Sequence, residues 1–165
     1  RRIQECIRAY EMVKMDPDAP ADFNQLTEEI LEEIVSIPES VRRRVIFIIR
    51  ESESVREAVN ALQAGDLFGF SRIVDRSHEG LRDRFEISCP ELDWLVKRAL
   101  EFIVPDQPDL VCSRMTGRGF GGCTYAIVPK ENAAVYIQRT EEYERIFGFK
   151  PVRHIVAPAG GARVL

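Results

Sequence analysis

Residues 110–129 read LVCSRMTGRGFGGCTYAIVP. Two short runs rich in apolar residues flank residues 117–122, where Gly117, Gly119, Gly121 and Gly122 stand among six residues. The run 110–116 follows a PDQPD break and reads as a strand. The run 123–129 reads as a second strand, with Cys123, Tyr125 and Ile127 on one face and Thr124, Ala126 and Val128 on the other. Both faces are apolar enough for a central position in a sheet. A two-residue hairpin turn requires only one or two glycines. A denser glycine segment costs chain entropy and marks a place where another backbone or a phosphate comes close.

Working outward, residues 130–148 form a predicted helix closed by Gly148, and 151–158 (PVRHIVAP) a predicted third strand. A glycine-rich tail, AGGARVL, follows. Upstream, the period is helical. Ile3, Cys6, Ile7, Tyr10 and Val13 make a stripe along a first helix, which the segment DPDAPAD breaks. A short helix around TEEILEEIVS carries acidic residues in its first turn, where the helix dipole favours them. A long helix from Pro38 to Gly65 presents Val41, Val45, Ile48, Ile49, Val55, Val59 and Leu62. Asp66 caps the next helix, which buries Leu67, Phe70, Ile73, Val74 and Leu81. Ser88-Cys89-Pro90-Glu91 fits a capping box and opens a helix with Leu92, Leu95, Val96, Ala99 and Leu100. The expected fold is therefore α+β: a helix-rich N-terminal portion, then an antiparallel sheet packed with helices, in a single domain over 1–165.

Composition narrows the function classes. The 165 residues are 45% hydrophobic and 30% charged with a net charge of -4, the profile of an ordinary globular domain. That charge argues against a nucleic-acid partner, which requires a basic face. No apolar run reaches the roughly 20 residues of a membrane span, and no apolar segment of a signal peptide follows the opening arginines. Cys6, Cys89, Cys112 and Cys123 form no C-x-x-C pair, so no zinc site is expected; free, mostly buried thiols point to the cytoplasm. The chain opens on Arg1, as a piece of something longer would.

The loop fits G-x-G-x-x-G, but a dinucleotide fingerprint requires a helix directly after it, and here a strand follows. Protein kinases place the pattern between two strands, yet V-A-I-K, H-R-D and D-F-G are all absent. On pattern alone a strained turn and a phosphate-approaching loop both stand.

A family resemblance decides between them. Arg114-Met115-Thr116-Gly117-Arg118-Gly119-Phe120-Gly121-Gly122-Cys123 resembles the third signature motif of the galactokinases, R-M-T-G-G-G-F-G-G-C, within the GHMP family of small-molecule kinases. Residues 77–83, SHEGLRD, and 85–93, FEISCPELD, are similar to two further motifs of that family. The opening RRIQEC and the closing GGARVL are similar to its R-R-x-x-C and G-G-A-x-V-L. The resemblance runs through the whole chain in order.

It implies the C-terminal half of a two-domain kinase that uses ATP and magnesium to phosphorylate the anomeric hydroxyl of galactose. The family's phosphate loop, sugar motif, catalytic aspartate and activating arginine are not in this chain, so it is expected to hold no catalytic residue and no metal ligand, and to be inactive alone. Galactose and ATP would bind through the N-terminal domain that this chain lacks. The face turned toward that domain is expected to be apolar. Residues Thr116, Gly117, Arg118, Gly119, Phe120, Gly121 and Gly122 are expected beside the phosphate loop, lining the phosphate site or bracing that loop, with bracing favoured. The alternatives are a galactokinase-like sensor of sugar and ATP that regulates a partner, and a kinase for N-acetylgalactosamine or arabinose. Arg118 departs from the family's glycine. A solvent-facing side chain is the simpler reading than an added cation, and a left-handed backbone there would cost about 1–2 kcal/mol.

The remaining polar residues read as structural. His78 is expected to help pack its helix through Arg82, one turn on. His154 is expected at a surface or interface, Arg42-Arg43-Arg44 on a solvated helix face, and Trp94 half-buried.

Overall fold

A computed structural model describes residues 2–15, 20, 22–33, 37–104, 110–158 and 160. The predicted breaks around 16–21 and 105–109 and the tail from 161 lie outside these residues. The element order is α1 (Arg2–Val13), a 3₁₀ turn (Phe23–Gln25), α2 (Glu28–Glu33), α3 (Glu39–Ala64), α4 (Leu67–Asp83), α5 (Pro90–Leu100), β1 (Cys112–Thr116), β2 (Cys123–Ile127), a second 3₁₀ turn (Lys130–Asn132), α6 (Ala133–Arg139) and α7 (Glu142–Phe147).

Local chemistry explains the boundaries. Gly65 ends α3 at φ 72°, a left-handed cap that costs glycine nothing. Asp66 then accepts the Gly69 N–H and caps α4. Pro90 occupies the first turn of α5, where its missing N–H is not needed. The predicted capping box does not form: the cap residue is Cys89, without a side-chain bond, and Ser88 Oγ donates to Asp93 instead. The predicted helix 130–148 is interrupted at Thr140, whose hydroxyl turns back to Ile137 O, and Gly148 closes it at φ 77°.

Two apolar clusters hold the fold. Cys6, Ala9, Val13, Leu26, Leu31, Ile37 and Val45 join α1, α2 and α3. Phe47, Leu81, Ile87, Leu92 and Met115 join α3, α4, α5 and β1. The α3–α4 contact is close because Gly80 has no Cβ: one built there would stand 2.4 Å from the Phe47 ring.

The sheet is smaller than expected. β1 and β2 pair antiparallel from Cys112↔Ile127 to Thr116↔Cys123, and among the described residues nothing else joins them. Residues 151–158 form no strand, and Val152, Ile155 and Val156 are each more than 80% exposed. A strand requires a neighbour for its backbone groups, and the described chain supplies none. For the same reason β2 is an edge strand rather than a central one. The helical stripes are displaced too: Ile3 and Ile7 on α1 and Val55, Val59 and Leu62 on α3 lie exposed, while Ala9 takes their place in the core.

β1 has a covered outer edge. The N–H groups of Ser113 and Met115 are met by Asp75 Oδ1 at 3.4 Å and His78 Nδ1 at 3.3 Å, both from α4. Asp75 and His78 are three residues apart and so lie on one helix face, which fits alternate positions of the strand.

Candidate functional site

β1 ends at Thr116, which is exposed, and β2 begins at Cys123; the segment between them bends almost entirely through left-handed backbone. Gly117, Gly119, Gly121 and Gly122 have φ of 88°, 80°, 120° and 106°, and Phe120 has φ 57° with its ring 67% exposed. Glycine reaches these angles without steric cost. Arg118 is exposed and is not in the left-handed region, so its departure from the family pattern strains nothing.

Only one face of the loop is held. Phe120 N–H donates to Ile87 O at 2.7 Å, and a Cβ on Gly119 would stand 2.5 Å from that same oxygen. Of the four glycines, Gly119 alone makes the close approach foreseen, to backbone of the 85–93 motif. The N–H groups of Gly117, Arg118, Gly119 and Gly121 have no acceptor among the described residues. Such amides, in a glycine loop, can receive an anion.

The segment that touches the loop is itself anchored. Ile87 is 8% exposed and its N–H bonds to Leu81 O at 3.0 Å. Beside it, Glu86 has φ 57° although it is not glycine, a conformation that is costly for a residue with a Cβ. Its carboxylate meets three guanidinium groups: Arg43 at 2.7 Å, Arg2 at 3.4 Å, and Arg44. Arg44 is only 6% exposed and also binds Glu5 of α1. The Arg44 hydrogen bond, with the nearby charges, holds the Glu86 carboxyl below its ordinary pKa. The run Arg42-Arg43-Arg44 is thus not a solvated face. Arg44 is itself buried on the inner side of α3, and burying its charge requires partners. Neither Glu86 nor Arg44 was selected by sequence; the legible signal was a charged triplet interrupting an apolar stripe.

A second cluster lies between α4 and α5, around a cavity of about 430 Å³ lined by Asp75, His78, Glu79, Arg82, Asp93 and Trp94 among others. His78 is 3% exposed, and because Nδ1 accepts from Met115, its proton sits on Nε2, 3.3 Å from Asp93 Oδ1. Burial pushes the His78 pKa down, against the pull of Asp93. Asp75 is pushed up to about 6 by burial, and Cys112 up to about 12. Arg82 forks onto Asp83 rather than reaching His78. These groups are engaged with one another and with β1, so the histidine packs the helix as expected, through other partners. Trp94 is half-buried against Tyr143 and Phe147. His154 is exposed. Cys6 and Cys112 are buried, Cys89 is partly so, and Cys123 is exposed.

Among the described residues no group of three His, Cys, Asp or Glu side chains is placed to hold a metal ion, and no helix is long and apolar enough to cross a membrane.

Comparison with known proteins gives a consistent picture. The sequence matches the family described as GHMP kinases C terminal over residues 55–140. It is 60% identical over 164 residues to a provisionally named galactokinase of Treponema pallidum (strain Nichols), covering 99% of this chain and 41% of that protein. It is 36% identical over 144 residues to the galactokinase of Homo sapiens, covering 85% of this chain and 35% of that one. The chain thus spans about two fifths of the length of the curated relatives it matches. Among solved structures it resembles Lactococcus lactis galactokinase complexed with galactose, with a TM-score of 0.75 and 28% identity over 90% of this chain and 37% of that one.

Proposed function

We propose that this chain, which belongs to the GHMP kinase C-terminal family, is the C-terminal half of an ATP-dependent sugar kinase, and that galactose is the sugar. The reaction is transfer of the terminal phosphoryl group of ATP to the anomeric hydroxyl. The observation that carries this reading is the 60% identity to a galactokinase relative along nearly the entire chain.

The share of the work done here is positional. Phosphoryl transfer is catalysed chiefly by holding the phosphates and neutralising their charge. The loop 117–122 suits such a role, since one side is fastened to Ile87 and the other offers uncommitted amides. Thr116, exposed at its entrance, adds a hydroxyl. Magnesium, which such a transfer uses, is held in such sites by one or two carboxylates together with the phosphates of the nucleotide. No step of the reaction is assigned to a residue of this chain.

The exposed apolar residues support a missing half. Val152, Ile155 and Val156 near the C-terminus and Ile3, Ile7, Val55 and Val59 on the helices are an unusual amount of apolar surface for a free-standing domain. Arg118, unstrained and exposed, gives no reason to favour a sensor over an enzyme.

The test is a coupled ADP-release assay with ATP, magnesium and galactose. It is run on this chain alone and on this chain joined to the N-terminal three fifths of a galactokinase relative. Galactose-dependent turnover in the joined protein only is the expected result. A folded joined protein that releases no ADP with galactose overturns the assignment of the sugar, and silence with every sugar offered overturns the kinase reading.

A further inference from the structure

We infer that Glu86 is a positioning residue for the glycine loop, acting through Ile87 and held in place by an arginine cluster. The functional weight of this inference rests on the kinase reading above; its structural part does not.

Three observations converge. First, Glu86 occupies a left-handed position three residues past the end of α4. A glycine would take that angle freely. A glutamate there adopts the angle against its backbone preference, so something else must hold it. Second, that hold is visible: Arg2, Arg43 and Arg44 converge on its two oxygens, from α1 and α3. The buried Arg44 divides its two terminal nitrogens between Glu5 and Glu86, so it ties Glu86 to α1 as well as to α3. Third, the residue that follows Glu86 carries the loop. Ile87 O takes the Phe120 N–H at 2.7 Å and fills the space where a Gly119 side chain would be. Holding the Glu86 carboxylate restrains the backbone that leads into Ile87, whose N–H is held in turn by Leu81 O, and the Ile87 carbonyl is the loop's one backbone anchor outside the hairpin among the described residues.

The chain of contacts runs from α1 and α3, through one carboxylate and one carbonyl, to the glycine segment. It joins four stretches of sequence that are distant in the chain: residues 2–5, 43–44, 86–87 and 119–120. Alternative uses of Glu86 fit less well. Its oxygens are spent on guanidinium groups, so it is neither an acid–base candidate nor a cation site.

Replacement by glycine separates the two possible reasons for the residue. Glu86→Gly relieves the backbone and removes the carboxylate. If Glu86 serves only the turn, Glu86→Gly leaves the loop as it is. If the carboxylate positions the loop, the variant frees it. The readout is tryptic cleavage after Arg118, an exposed arginine inside the loop, followed by mass spectrometry well below the melting temperature. In this regime cleavage tracks the open population of the segment. Cleavage after Arg118 is expected to rise about tenfold in Glu86→Gly and about threefold in Arg43→Ala, whose arginine is half-exposed, with cleavage after Arg56 on α3 unchanged. Thiol labelling of the exposed Cys123 should rise in parallel. Unchanged cleavage after Arg118 in both variants overturns the inference. Should Glu86→Gly unfold the chain, seen as faster cleavage at Arg56 as well, Arg43→Ala alone decides. In the joined kinase, Glu86→Gln is expected to raise KM for ATP severalfold while KM for galactose holds. A loosened loop with an unchanged KM for ATP would refute the placement of the loop at the phosphates and leave the brace standing.

Discussion

Gly119 and Gly117 share a left-handed backbone but differ in what surrounds them. At Gly117 a Cβ would meet nothing within 4 Å, whereas at Gly119 it would strike the Ile87 carbonyl. Gly117→Ala is therefore expected to cost about 1–2 kcal/mol of backbone strain. Gly119→Ala should cost visibly more, and should also raise cleavage after Arg118, because the Phe120–Ile87 bond must open. Denaturant melts of the two variants make the comparison. Asp75 supplies a pH prediction at the same scale. Burial raises its pKa to about 6, above the unfolded value near 3.8. Below pH 4 the group is neutral folded or unfolded. Between about 4 and 6 the unfolded chain ionises first, so the contribution of Asp75 to stability falls, by about 2–3 kcal/mol at full extent. Asp75→Asn keeps an acceptor for the Ser113 N–H without the charge. It is expected to raise Tm at pH 7.5 by about 5 °C and to converge with the parent near pH 4. His78, whose pKa is lowered by burial, works in the opposite direction: the stability it brings at neutral pH is lost on acidification.

At the scale of elements, the segment 151–158 is the clearest case. Its β-branched residues suit a strand, yet Val152, Ile155 and Val156 are exposed, and its backbone pairs with no strand among the described residues. Replacing Val152 and Ile155 by Ser is expected to leave the melt of this chain unchanged within about 0.5 kcal/mol, since neither side chain is buried. The same change in the joined kinase should lower Tm and association; equal melts in both would show that the segment pairs with nothing. This case also marks what was legible. Helices α1, α3, α4 and α5, the hairpin and the glycine caps at Gly65 and Gly148 could be read because their causes are local: period, capping and turn chemistry. The split at Thr140 depends on one hydroxyl, and the missing third strand depends on a partner, so neither is written in the periodicity. For the candidate site, the loop could be read and its support could not. The carboxylate–arginine brace joins residues up to 84 positions apart, Arg2 and Glu86, and no spacing rule reaches that far.

For the molecule as a whole, the balance between buried and exposed apolar surface is the informative quantity. Two clusters are well packed, while Ile3, Val55, Phe149, Val152, Ile155 and Val156 stand in solvent. An apolar dye such as ANS is expected to bind the folded chain at neutral pH and to be displaced in the joined kinase; a chain that binds no dye would count against a covered face. Calorimetry on the isolated chain should show no micromolar binding of galactose or ATP. The covering of β1 by Asp75 and His78 has one more consequence, concerning self-association. A hairpin with both margins open can add copies without limit and build a fibril. Here one margin is sealed by side chains of α4, so another hairpin can dock only along β2. Two copies joined β2 to β2 satisfy each other about a two-fold axis and leave no open edge between them. Among the described residues, strand pairing between copies is thereby expected to stop at dimers, which the mass of the chain in solution checks.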